Sequence, residues 1–171
     1  MGSATSGKSW KEIEKLVYGE GKNFTKIAFD NAKDQKRIEK KLRQEFATSF
    51  KKGESFDQLV ERVRKVTGKE SSDAKRIART EGTRIENMAR QQAADDYAEE
   101  TGNRPKKRWF CTFHNSRDSH IAMHNQTVFE DEPFLTPSGE EMMYPGDDTN
   151  VGPEEIINCR CRMVVIPPRG E

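Results

Sequence analysis

Cysteine is scarce in this 171-residue chain: there are three, an odd number in a lysine-rich sequence. That argues against a secreted framework of paired disulfides. Apolar residues are scarce too, at 32% against 35% charged, and aromatics make up only 8%. Such a chain is expected to carry long exposed helices around a modest core. It has no uninterrupted run of about 18 apolar residues, so no transmembrane helix is predicted. It has no charged-then-apolar N-terminal signal, no glycine-rich phosphate loop, no internal repeat and no low-complexity tract. Residues 1–7 are small and polar; they read as a flexible leader or a vector-derived scar.

What is present is charge, and it is unevenly placed. Residues 1–108 hold 26 Lys+Arg against 18 Asp+Glu, whereas residues 109–171 hold 4 against 11. The net charge of +1 therefore conceals a basic N-terminal part and an acidic C-terminal part. Such a split implies two differently used surfaces. The basic one suits nucleic acid or an acidic protein; the plainer reading is that Lys and Glu solvate long helices.

Helical periodicity dominates residues 8–102. Trp10, Ile13, Leu16 and Val17 form one apolar stripe ended by Gly19 and Gly21. A second helix is expected from Asn23 or Thr25, with Ile27, Ala28, Ala32, Ile38, Leu42, Phe46 and Phe50 on its stripe and a polar break or solvated turn at residues 31–36. Lys51, Lys52 and Gly53 close it. Ser55 and Gln58 fit a capping box for a third helix with Phe56, Leu59, Val60, Val63 and Val66 inward and Gly68 as its stop. A fourth is predicted over 72–100, marked by Ala74, Ile77, Ala78, Ile85, Met88, Ala89 and Tyr97. Arg79, Thr80, Glu81 and Gly82 interrupt that stripe. A mid-helix glycine costs about 1 kcal/mol relative to alanine, so Gly82 is either simply tolerated or marks the close passage of another backbone.

After Gly102 the period is lost. Residues 103–108 read as a basic connector, and 109–171 as a compact α+β module of short strands and turns. Strands are expected over 109–113, 126–129, 142–144 and 160–166. Turn signals stand at Pro133, Pro137, Gly139, Pro145 and Gly146, and one helical turn at 153–157. The module is small enough for its own core to be marginal. It must lean on the helices, on a metal, or on both.

The chemistry-bearing residues sit in that module. Cys159 and Cys161 are two apart, which places both on one face of an extended chain. All three histidines fall in 114–124. Zinc takes four tetrahedral Cys and His ligands. The set predicted is His120, Cys159 and Cys161, with His124 or Cys111 as the fourth; His114 is the remaining candidate. Cys-x-Cys is less diagnostic than Cys-x2-Cys, and the bland alternative is a buried thiol core with hydrogen-bonded histidines. A Cys/His nucleophilic pair, helped by Arg160 and Arg162, and a nuclease centred on His114, Asn115 and His120 are the enzymatic readings. Neither shows its supporting groups in the sequence, so no catalytic residue is assigned. Arg117 and Arg160 suit the binding of loop carbonyls or a carboxylate, and Asn158 suits a side-chain tie to a loop backbone. Arg117 and Asp118 read more plainly as an exposed turn with a weak ion pair.

Taken in order, the helix with Ala78-Arg79-Thr80-Glu81, the basic stretch, Trp109, Arg117-x-x-His120, Gln126, Pro145-Gly146 and Asn158-Cys159-Arg160-Cys161 form a pattern. It resembles the phage minor head protein family, also called phage Mu F-like or head morphogenesis proteins, over about residues 54–166. The resemblance implies a non-enzymatic virion component acting in head morphogenesis and in genome packaging or delivery. The implied partners are the portal and other capsid or scaffold proteins, and in some members double-stranded DNA. The implied location is the capsid interior or portal vertex, with host cytoplasm during assembly. The alternative reading, from another class, is a metal-dependent nuclease or toxin domain of phage origin. Some members carry Cys-x-x-Cys where this chain has Arg117 and His120, which implies His120 as the partner of Cys159 and Cys161. Members are often longer at the N-terminus, so a piece of a longer protein is expected.

Overall fold

The computed structural model describes residues 32–169, with side chains from residue 36 onward. The stripe of Trp10, Ile13, Leu16 and Val17, and the expected helix start at Asn23 or Thr25, lie outside the described residues. Three helices come first: α1 (Ala32–Lys52), α2 (Phe56–Thr67) and α3 (Ser71–Thr101). The expected break at 31–36 does not occur from Ala32 onward, where the chain is already helical. Lys and Gln are good helix formers, and a polar run is no obstacle to helical backbone bonding.

The helix ends follow their capping chemistry. Ser55 Oγ accepts from the Gln58 amide at 3.3 Å while Gln58 Oε1 accepts from the Ser55 amide at 2.8 Å, so the capping box is reciprocal. Gly68 and Gly102 close α2 and α3 in the left-handed conformation. Leu42 and Phe46 from α1, Leu59, Val60 and Val63 from α2, and Ala74, Ile77, Ala78 and Ile85 from α3 bury one apolar core. Each large aliphatic or aromatic side chain there stabilises the fold by about 1.5–3 kcal/mol relative to exposure.

The second part is a three-stranded antiparallel sheet of order β2-β1-β5, with a two-stranded ribbon beside it. Its elements are β1 (Lys106–Phe110), α4 (Asp118–Met123), β2 (Thr127–Phe129), β3 (Phe134–Leu135), β4 (Glu141–Met142), α5 (Pro153–Ile156) and β5 (Arg162–Ile166). The fold is therefore α+β, helices first. Central β1 pairs Lys106 with Phe129 on one side, and Trp109 with Met163 on the other. Trp109 is fully buried at the centre of a second core with Cys111, Met123, Phe134, Met142, Ile156 and Met163. It meets the Phe134 ring edge-on at 5.3 Å between centroids.

Three strand expectations and the connector need correction. The basic stretch 103–108 is only partly a connector, because Lys106–Arg108 opens β1, and β1 ends at Phe110 rather than at residue 113. Lys107, Trp109 and Cys111 alternate inward, a period of two that the flanking cations concealed. The strand expected at 160–166 begins at Arg162, so Cys159 and Cys161 precede it. Burial still alternates through 159, 161 and 163, which keeps both thiols on one side without ladder bonds. The strand expected at 142–144 is Glu141–Met142, and it pairs with β3, which was not anticipated.

Helix α3 joins the two cores. Gly82 sits buried on it, and among the described residues no atom lies within 4 Å of a Cβ built there; no described backbone passes it. The close approach is made by Gly146, whose φ is +90° and whose added Cβ would stand 2.9 Å from the Arg84 Cα. Only glycine suits both demands. Beneath it Arg84 and Glu81 form a buried pair, with Nε 2.9 Å from Oε2.

Candidate functional site

Helix α3 presents a row of polar side chains to the module. The Asn158 amide donates to Thr80 Oγ1 at 3.0 Å, and Thr83 Oγ1 donates to the Cys159 carbonyl at 2.6 Å. Asn87 Nδ2 donates to the Cys161 carbonyl at 3.1 Å, while Asn87 Oδ1 accepts from the Met163 amide at 2.9 Å. Further along, Gln91 Nε2 donates to the Glu130 carbonyl at 2.7 Å, and Gln91 Oε1 accepts from Lys107 Nζ at 2.8 Å. Thr80, Thr83, Asn87 and Gln91 are spaced three to four apart, which is one face of a helix. This face satisfies the backbone of 158–163, a segment with no strand partner on that side among the described residues.

The row positions two thiols. Cys159 and Cys161 are both buried, and both point at His120 from α4. His120 Nδ1 lies 3.6 Å from Cys159 Sγ and 3.5 Å from Cys161 Sγ. These three are the one group of potential metal-ligating side chains found among the described residues, all ligand atoms falling within 4.8 Å of one another. On its other side His120 Nε2 stands 2.8 Å from Glu155 Oε2, close enough for an ion pair but out of line for a hydrogen bond. Ser119 Oγ holds Glu155 by donating to its carboxylate at 3.1 and 3.3 Å. The Trp109 ring packs edge-on against the imidazole at 5.1 Å. The two thiols share one proton network. A hydrogen bond from Cys161 lowers the Cys159 thiol against the opposing effect of burial, with Arg117 adding in the same direction. Donating that bond, together with burial, raises Cys161.

The remaining predicted residues are placed as follows. Cys111 is fully buried in the same core but is not one of the three clustered ligands, and its Sγ accepts from the Phe113 amide at 3.3 Å. His124 is directed elsewhere: Nδ1 accepts from the Cys111 amide at 3.1 Å, and its ring lies between Phe110 and Phe113. His114 and Asn115 are exposed on a turn in which Phe113 and Asn115 both have positive φ. Arg117 donates to the Ile157 carbonyl. Asn158 acts through its backbone rather than its side chain; its φ of 58° is a conformation asparagine tolerates better than most residues. Arg79 lies over the Phe56 ring at 4.6 Å, joining α3 to α2.

Sequence reasoning missed Glu155, Thr83, Asn87, Gln91 and Lys107. The signal available was a helix whose polar residues recur at helical spacing beside an apolar stripe. That pattern ordinarily means a solvated face.

Between α3 and β5 runs an open groove of about 1060 Å³, lined by Glu86, Arg90, Tyr97, Arg160, Arg162 and Val164 among others. Burial raises Glu86, and burial also lowers Arg90. No described helix is long and apolar enough to cross a membrane.

The family described as phage Mu protein F like protein matches residues 40–164, from α1 to β5. No curated protein and no solved structure matches the chain.

Proposed function

The chain belongs to the phage Mu protein F like family of phage head proteins, and from that premise we propose that it is a non-enzymatic structural component acting in head morphogenesis. The observation that carries this reading is the burial of its reactive groups. His120, Cys159 and Cys161 are each 1–2% exposed, so no macromolecular substrate reaches them. They fit a device that holds the module closed against α3 better than a centre that turns over substrate.

The partners we propose are the portal and other capsid or scaffold proteins, with the head interior or portal vertex as its place and genome packaging or delivery as the process served. Surface chemistry supports a division of labour. Exposed Lys36, Arg37, Lys40 and Lys41 stud α1, while Asp131, Glu132, Glu141 and Glu154 stand exposed on the module. The basic arm suits DNA or an acidic protein face.

Co-expression with the portal protein of the same phage, followed by affinity purification and crosslink mapping, tests the proposal. The expected result is co-purification with crosslinks from α1 lysines. Failure to associate with portal, capsid or scaffold would remove it. Incubation with supercoiled DNA and divalent metal is the second arm. Cleavage abolished by His120→Ala would overturn the non-enzymatic reading. A gel shift that weakens steeply with salt supports DNA contact, and no shift at low salt removes it.

A further inference from the structure

The geometry points to a closed structural zinc centre in which Cys159, Cys161, His120 Nδ1 and Cys111 are the ligands and Glu155 supports the histidine from behind. Zn–N bonds of about 2.0–2.1 Å and Zn–S bonds of about 2.3 Å at a tetrahedral angle set N and S roughly 3.6 Å apart. His120 Nδ1 stands 3.6 and 3.5 Å from the two sulfurs. A simple thiol–imidazole contact requires only one sulfur at that distance; two sulfurs converging on one nitrogen describe three corners of a tetrahedron.

A second observation is independent of these distances. A metal-bound histidine generally presents its other ring nitrogen to a carboxylate or carbonyl, which fixes the ring and strengthens the donor. His120 Nε2 has Glu155 Oε2 at 2.8 Å, an electrostatic contact out of line for a hydrogen bond, and Ser119 anchors that carboxylate, so a small turn of the ring on metal binding completes the bond. The outer support extends to the cysteines, whose carbonyls are held by Thr83 and Asn87. The ligands are thus positioned by elements that do not themselves bind the ion.

The fourth corner falls to Cys111. Burial at 1–2% exposure denies the centre an open solvent position, and structural zinc sites take all four ligands from the protein. Cys111 is the remaining buried thiol of the same core. Its Sγ accepts an amide N–H from Phe113 in the conformation described. It lies outside the three-residue set, so closing the tetrahedron requires its side chain to turn inward. His124, the other fourth ligand expected from spacing, has its Nδ1 engaged by the Cys111 amide. Two thiolates or more with one imidazole match zinc in donor softness. Binding releases the thiol protons to solvent as the Zn–S bonds form.

The test uses the full chain, purified without chelator under reducing conditions. Native mass spectrometry and elemental analysis are expected to give one zinc per chain. Cobalt(II) exchange is expected to give a thiolate-to-cobalt charge-transfer band with tetrahedral ligand-field absorption. Glu155→Gln, which leaves all ligands in place, is expected to weaken zinc 10- to 100-fold in a chelator competition with unchanged circular dichroism. Cys111→Ser is expected to weaken zinc and reduce the charge-transfer intensity. A folded wild-type chain that takes up neither zinc nor cobalt at one equivalent overturns the centre. Unchanged affinity in Cys111→Ser overturns the four-ligand form, and unchanged affinity in Glu155→Gln overturns the role of the carboxylate. These readouts are independent of portal or DNA binding.

Discussion

Lys107 occupies an inner position of β1 that a charged residue seldom takes. Its amine donates to Gln91 Oε1 and to the Met143 carbonyl, both at 2.8 Å, and faces the Phe134 ring at 5.2 Å. Burial lowers its pKa to about 8, against the partial opposition of Asp95 and Asp147. The unfolded chain, with an ordinary lysine near 10.5, therefore holds the proton more tightly than the folded one between about pH 8 and that value. Stability contributed by this residue rises with pH through that window, and below it the full penalty of burying the charge is present. Urea midpoints measured from pH 7.5 to 10 are expected to rise for the native chain relative to Lys107→Met. Parallel curves would show that the amine titrates normally. At this scale the sequence was misleading: the cations at 106–108 look like a connector, and burial of the middle one follows only from its place between Trp109 and α3.

Two faces of α3 are buried by different means. The apolar one, with Ala74, Ile77, Ala78 and Ile85, was legible because apolar side chains repeat at helical spacing. The polar one was not, because Thr80, Thr83, Asn87 and Gln91 would read the same on a helix facing water. Asn87 satisfies a carbonyl and an amide of the module at once. Asn87→Ala leaves both without partners in a buried place, where an unmet group costs about 1–3 kcal/mol. The expected loss is about 2–4 kcal/mol, read by urea unfolding through Trp109 fluorescence in a Trp10→Phe background. A loss below about 1 kcal/mol would mean that the 158–163 segment is held by something other than this row. The same row accounts for the polar interruption at 79–82, since Thr80 takes the Asn158 amide and Glu81 neutralises Arg84.

Across the described residues, two modest cores meet at one helix, which gives apolar side chains to the first and polar ones to the segment that closes the second. The module's core is built around Trp109, but much of its polar backbone is completed from α3. A fragment of residues 103–171 would lose the partners of Cys159, Cys161, Met163 and Glu130 together. It is expected to give a poorly dispersed amide NMR spectrum with or without one equivalent of zinc. A dispersed spectrum would show that the module folds without the helix. The marginal size of the module, inferred from length alone, leads to the same expectation.

The helices up to residue 101, the capping box at Ser55, the helix-then-strand division and the placing of Cys159 and Cys161 on one side were determined by the sequence. Each rests on periodicity or capping within a few residues. Tertiary structure alone decided that Glu155 backs His120, that His124 turns away, that Lys107 lies inside, and that α3 grips the thiol segment. The grip of α3 on the thiol segment joins residues 74 to 78 apart. A polar side chain's partner at such a distance is set by how the helix rotates against the sheet, which no local repeat encodes.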